Sequence, residues 1–184
     1  MQQEPIAVVT DSSCDLPPEY VADQENLYVL PLQLIYPEKT YRDGVEISPE
    51  QVYERMEKDE VPSTTLPSPD DVTQVFEDMK RKGIRKAVFV MMSSGLSGTY
   101  NMVRLICEHH TEAKTLVYDS RILSMGLGYM VMNAIELIRQ GVNLEALRDK
   151  LEVLRESVDG FFYLPTLDYL ARGGRIGLVA GTVG

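Results

Sequence analysis

Short apolar runs alternate with stretches of helical period along most of the chain. Pro5–Thr10 and Ala87–Met92 are apolar runs of strand length and Ala113–Tyr118 reads as a third buried strand, each followed by a polar turn. Such runs read as strands buried on both faces, the pattern of a parallel sheet. Between and after them lie amphipathic segments with their own stop and start signals. Ser48-Pro49 opens a helix through about Lys58, and Ser68-Pro69 opens one through about Lys82, which Gly83 stops. Tyr100–His110 carries its apolar residues at Met102, Val103, Leu105 and Ile106. A helix from about Gly126 to Arg139 and another from Asn143 to about Ser157 complete the series. Asn26–Tyr36 is β-like, with Pro31 marking an edge position, and Tyr36–Tyr41 turns into a short return strand. This alternation predicts an α/β fold, a mostly parallel sheet with helices on both faces. The α/β domain is expected over 1–158, with a β-hairpin insertion near 27–45. From Gly160 the character changes: Phe161–Leu164 reads as a short aromatic strand and Thr166–Leu170 as a turn of helix ended by Arg172-Gly-Gly-Arg175. Residues 159–184 are expected to begin a second domain that is cut short.

Composition narrows the partners. The 184 residues carry a formal net charge of −10, which argues against nucleic acid and against adsorption to an anionic membrane. No apolar run is long enough to cross a bilayer, so stable membrane insertion is not expected, and the amino terminus has no signal-peptide pattern. The two cysteines, Cys14 and Cys107, form neither a framework nor a C-x-x-C, which predicts a reducing, cytoplasmic setting.

The candidate chemistry lies in turns. Ser93–Thr99 sets hydroxyls beside Gly95 and Gly98 just after a buried strand and before a helix, where an open α/β sheet binds ligands and helix-start amides favour an anion. Val61–Pro69 holds Thr64 and Thr65 between prolines that stiffen it, and stiffening positions hydroxyls at low entropic cost. Asp11–Pro17 is a third polar turn, read equally as plain turn chemistry or as another loop at the same sheet edge. Asp11 and Asp119 stand out among the acidic residues because each follows a buried strand. Catalytic signatures are missing. There is no phosphate-binding Gly-x-x-x-x-Gly-Lys and no Gly-x-Ser-x-Gly. His109 and His110 lack metal spacing, and His109 lies about three helical turns, roughly 18 Å, from Ser97. Gly126-x-Gly128 lacks the third glycine of a dinucleotide fingerprint, since Val131 stands in its place, so close helix packing is the expected reason for it. No cofactor and no metal are expected. What remains is a hydroxyl-lined edge formed by Thr64, Thr65, Ser93, Ser94 and Ser97, suited to hold one carboxylate by charge-assisted hydrogen bonds. Nine methionines offer an adaptable apolar wall or plain core.

Four segments, Val8–Pro17, Pro62–Pro69, Ser93–Tyr100 and Leu167–Ile176, occur in the order seen in DegV proteins, and the chain resembles that family over its whole length. The resemblance implies a bacterial fatty-acid-binding protein near 280 residues long, with an α/β first domain and an α+β second domain that sheathe a long acyl chain between them. It implies a non-enzymatic, substrate-binding role. Family members present a long-chain fatty acid to a separate ATP-dependent fatty acid kinase, which phosphorylates the carboxylate for phospholipid synthesis. Carried over by motif, Thr64 bonds the carboxylate, and the pair Ser93-Ser94 supplies a second hydroxyl, with Ser94 favoured by its place in the turn. Arg175 lies near the head group or the kinase contact, and a family histidine beside the head group falls past residue 184. Leu66, Thr65 and Gly177 depart from the usual glutamine, serine and serine. The rival expectation is a binding or sensor module for a small phosphorylated or carboxylate metabolite, which the same loop and helix start would serve.

Overall fold

A computed structural model describes residues 4–177. Its main sheet has four parallel strands in the order β2-β1-β6-β7: β1 Ile6–Asp11, β2 Leu27–Leu30, β6 Lys86–Met91 and β7 Lys114–Asp119. β1 and β6 are central, and all six residues of β1 are buried. β7 is an edge strand, and its inner positions alternate in burial instead of being wholly covered. Pro31 follows directly on β2, the other edge, where its missing N–H breaks no ladder.

Period-two alternation splits the sheet's side chains between two cores. Ile6, Val8, Val88, Val90, Leu116 and Tyr118 face one way. They meet α5 Ser124–Arg139 and α6 Leu144–Glu156 through Leu127, Met130, Val131, Leu147 and Leu151. Ala7, Val9, Ala87, Phe89 and Met91 face the other way. There they meet α3 Pro69–Lys82 and α4 Thr99–His109 through Val72, Val75, Phe76, Met79 and Val103. Helices therefore cover both faces, as the pattern of apolar runs predicts. A short helix, α1 Pro18–Ala22, which periodicity alone does not announce, leans Tyr20 and Val21 on the first core.

A second, smaller sheet stands apart. β3 Gln33–Ile35 and β4 Thr40–Arg42 form an antiparallel hairpin, and β5 Ser63–Thr65 pairs antiparallel with the other side of β3. Leu34 lies opposite Thr64, and Gln33 opposite Thr65. Leu34, Tyr36 and Ile47 form a cluster of their own, joined by Val52 of α2 Pro49–Met56. The hairpin falls within the stretch read as an insertion, whereas Leu27–Leu30 belongs to the parallel sheet.

The helix limits follow their caps. Ser48 closes a capping box with Gln51, and Ser68 accepts from the Asp70 amide. Gly83, with φ 71°, ends α3 in a left-handed conformation that costs a glycine nothing. One expectation fails. Phe161–Leu164 is not a strand: it has no regular structure, Phe161 is 94% exposed and Tyr163 90%. Aromatic residues favour strands only where a neighbouring strand and a covered face exist, and the described residues supply neither here. The turn of helix is present as α7 Asp168–Arg172, with the Asp168 amide on the Thr166 hydroxyl, and Gly173 ends it.

Candidate functional site

From β1 the chain crosses to β2 on one side, while β6 leads to β7 on the other. The crevice beyond the carboxyl ends of β1 and β6 is thus the switch point of the sheet, the general ligand position in open α/β folds. The two strand ends are stitched there by Asp11. Its carboxylate accepts from the Met92 amide (2.8 Å), the Ser13 amide (3.1 Å) and the Ser13 hydroxyl (2.5 Å). Burial pushes the Asp11 carboxyl above its ordinary range, against the pull of those donors. Asp119, at the end of β7, does the same for the next loop. It accepts from the Ser94 amide (3.0 Å), the Ser94 hydroxyl (2.5 Å) and the Arg121 amide (3.1 Å). Asp15 accepts from Ser124 (2.6 Å), tying the start of α5 to the turn after β1. Among the described residues four that are not glycine hold left-handed backbone conformations, and three of them, Asp15, Arg121 and Ser124, lie at this edge.

A cavity of about 210 Å³ opens over the edge. Thr64 and Thr65 reach it from β5, Leu32 from the segment after β2, and Met92, Leu96 and Ser97 from the β6–α4 connection. Leu123 comes from the start of α5, and Tyr169, Leu170, Gly173 and Arg175 from the α7 segment. Five elements distant in sequence therefore meet on one space. Arg175 is its sole charged lining residue among those described. The Arg175 guanidinium donates to the carbonyls of Leu96 (3.3 Å) and Gly173 (2.5 Å) and makes no carboxylate ion pair among the described residues. Its five donors exceed these two bonds, and its charge is unbalanced within the lining. The remaining wall is chiefly apolar: Leu32, Met92, Leu96, Leu123 and Leu170.

Of the residues singled out in the sequence, Thr64 and Arg175 line this space together, with Thr65 and Ser97. The Thr64 hydroxyl has no hydrogen-bond partner among the described residues. Ser97 bonds within its own turn, sharing a hydrogen bond with the Thr99 hydroxyl (2.8 Å) and accepting from the Thr99 amide (3.3 Å). Ser93 and Ser94 sit beside the cavity without lining it, and they differ. The Ser94 proton is committed to Asp119. The Ser93 hydroxyl accepts from the Gly95 amide (3.3 Å), which leaves its own proton unassigned. Of the methionines, Met92 alone lines the cavity among those described, while Met91 and Met130 are core. The apolar lining residues Leu32, Leu123 and Leu170 carry no sequence signal of their own, because only the fold brings them to one place. Gly128 packs its helix against the Cys14 carbonyl, as expected for close packing and not for a dinucleotide. Among the described residues no cluster of side chains could hold a metal ion, and no helix is long and apolar enough to cross a membrane.

The fold and this edge make an α/β domain whose crevice has a hydroxyl-and-arginine rim and a chiefly apolar wall. The family model described as uncharacterised protein, DegV family, matches residues 5–184, and the chain belongs to the DegV family. It is 43% identical over 179 residues to a DegV domain-containing protein of Clostridium perfringens, covering 97% of this chain and 63% of that protein. A second such protein, from Clostridium acetobutylicum, is 41% identical over 181 residues, with 98% and 64% covered. Among solved structures, the fatty-acid-binding DegV family protein of Thermus thermophilus is 34% identical with a TM-score of 0.84, over 97% of this chain and 63% of that one. DegV of Bacillus subtilis, a fatty acid binding protein, is 28% identical with a TM-score of 0.90, over 99% and 64%. A stearic-acid-binding protein of Eubacterium ventriosum is 30% identical with a TM-score of 0.80, over 95% and 61%. The chain spans less than two thirds of the length of each of these proteins.

Proposed function

We propose that this domain grips the head of a long-chain fatty acid, as part of a cytoplasmic carrier that presents the carboxylate to a separate ATP-dependent kinase for acyl-phosphate formation. Thr64 and one of the two serines bond the carboxylate, and Arg175 balances its charge. The observation that carries this reading is the composition of the cavity. Thr64 and Arg175 stand, with Thr65, Ser97 and Tyr169, on a space whose remaining wall is chiefly leucines and a methionine. A carboxylate is held there by a donor and a cation, while an acyl chain takes the apolar side. A compact phosphorylated metabolite would leave that apolar wall unused, so the fatty acid is the better fit. At about 210 Å³ the space falls below the roughly 300 Å³ at which complete small-molecule sites begin. That matches a head-group subsite with the acyl tail extending past it. The relatives of similar fold that are described by their fatty acids point the same way.

The hydrogen bonds refine the choice of serine. Ser94 gives its proton to Asp119, so Ser93 is the better donor to a carboxylate and Ser94 the anchor of the loop. The carrier role leaves phosphoryl transfer to the partner. The test is to extract the purified protein, identify released lipid by mass spectrometry, and titrate a C16–C18 fatty acid against the wild type and Thr64→Ala. Removing one donor from a charged acceptor weakens binding by about 1–3 kcal/mol. A protein that carries no fatty acid and takes up none, or a Thr64→Ala variant of unchanged affinity, overturns the reading.

A further inference from the structure

Thr64 and Thr65 sit on the small sheet, but the other polar lining residues, Ser97, Tyr169 and Arg175, belong to the parallel-sheet edge or to the α7 segment. The affinity of a two-sided grip depends on how firmly those sides are registered. Apolar packing does little of this work, because the small sheet's cluster is separate from the two cores flanking the parallel sheet. The registration is polar: the Arg42 guanidinium of β4 pairs with the Asp71 carboxylate of α3, and the link to the end of β1 passes through one serine. The Ser12 hydroxyl, in the turn just after β1, donates to the Asp43 carboxylate (2.7 Å) and accepts from the Leu32 amide (3.0 Å). The Asp43 amide in turn donates to the Leu32 carbonyl (2.8 Å). Both backbone polar groups of Leu32 are thereby held, one by each member of the pair. Leu32 lines the cavity, and the next residue begins β3, the strand on which Thr64 and Thr65 are paired. A Ser12–Asp43–Leu32 triangle thus links the end of β1 to the strand that carries the threonine.

We propose that Ser12 and Asp43 are positioning residues: they clasp the small sheet to the parallel sheet and so set the distance between Thr64 and the 93–98 loop on which carboxylate affinity depends. The inference rests on the fatty-acid reading of the site. Its test uses palmitate binding and amide hydrogen exchange on the wild type, Ser12→Ala, Ser12→Thr, Thr64→Val and the Ser12→Ala/Thr64→Val double variant. Asp43→Ala opens the clasp from its other side should Ser12→Ala fail to fold. In the unliganded protein, Ser12→Ala speeds exchange in 32–35 and 63–65 and leaves β1 and β6 protected. It weakens palmitate about tenfold, Ser12→Thr restores most of that, and in the Thr64→Val background the same change costs almost nothing further, the non-additivity of coupled groups. If Thr64→Val weakens palmitate while Ser12→Ala and Asp43→Ala do not, or if the Ser12 loss is the same in both backgrounds, the clasp is overturned and the site stands. If the wild type takes no palmitate, the site itself is wrong and the clasp's role falls with it.

Discussion

Single residues at the sheet edge are mostly partnered, and the partnering decides which of them are available. Ser93 and Ser94 are adjacent hydroxyls that a sequence cannot tell apart, yet one is tied to Asp119 and the other keeps a proton. That distinction depends on Asp119, 25 residues further along the chain, so it was not legible locally. The cysteines were legible: both are unpaired and buried, on opposite faces of the parallel sheet. Burial pushes the Cys14 thiol up to about 11 and the Cys107 thiol up to about 12. An aromatic disulfide reagent at pH 8 is therefore expected to label neither thiol in the native protein and both once it is unfolded. The pH dependence has a definite sign. Each thiol holds its proton longer folded than unfolded, so its stabilisation is full below the ordinary thiol value, near about 8.5. It is lost as the pH rises through about 11 and about 12. Denaturant melts from pH 8 to 11 are expected to show falling stability, with a shallower fall in Cys107→Ala; equal slopes would refute this assignment.

Among the elements, those with local chemistry at their ends were readable and those defined by a distant partner were not. α3 runs from Pro69 to Lys82 between a serine cap and a left-handed glycine, as its sequence states. β5 is different. Its prolines announce an extended segment, but its pairing with β3, about 30 residues earlier in the chain, has no local signature. Phe161–Leu164 makes the opposite point, since strand propensity without a partner strand leaves exposed coil. The Gly126-x-Gly128 pair shows how packing and not ligand chemistry fixes a glycine. A Cβ on Gly128 would fall on the Cys14 backbone carbonyl and against Leu16, whereas one on Gly126 would meet only side-chain atoms, Cδ1 and Cγ1 of Ile122. In an unhindered helix, replacing glycine by alanine gains about 1 kcal/mol. Backbone cannot give way as a flexible side chain can, so overpacking at Gly128 outweighs that gain, with Gly128→Ala destabilised by about 1–2 kcal/mol. Gly126→Ala is expected to lie within about 0.5 kcal/mol of the wild type, since Ile122 can turn aside. Chemical denaturation of both variants measures the contrast, and equal effects would remove the close-packing account of Gly128.

At the scale of the whole molecule, the composition and the site pull in opposite directions. The chain bears a net charge of −10, and the proposed ligand is an anion whose head meets, among the described residues, a single lining cation, Arg175. Long-range repulsion reaches about 30 Å at 0.01 M salt but only about 8 Å at 0.15 M. The guanidinium acts at contact distance, where screening is weak. Raising salt over this range therefore removes the global repulsion and largely spares the local attraction. For a short, monomeric fatty acid such as decanoate, the association rate is expected to rise between 0.01 and 0.15 M salt, the reverse of a cation-steered encounter. Arg175→Gln leaves the repulsion in place and removes the attraction, so it lowers affinity at every salt concentration and steepens the rise. Stopped-flow binding at four salt concentrations reads both effects. An association rate that falls with salt in the wild type would mean that the local field of Arg175 governs the approach of the acid as well as its capture.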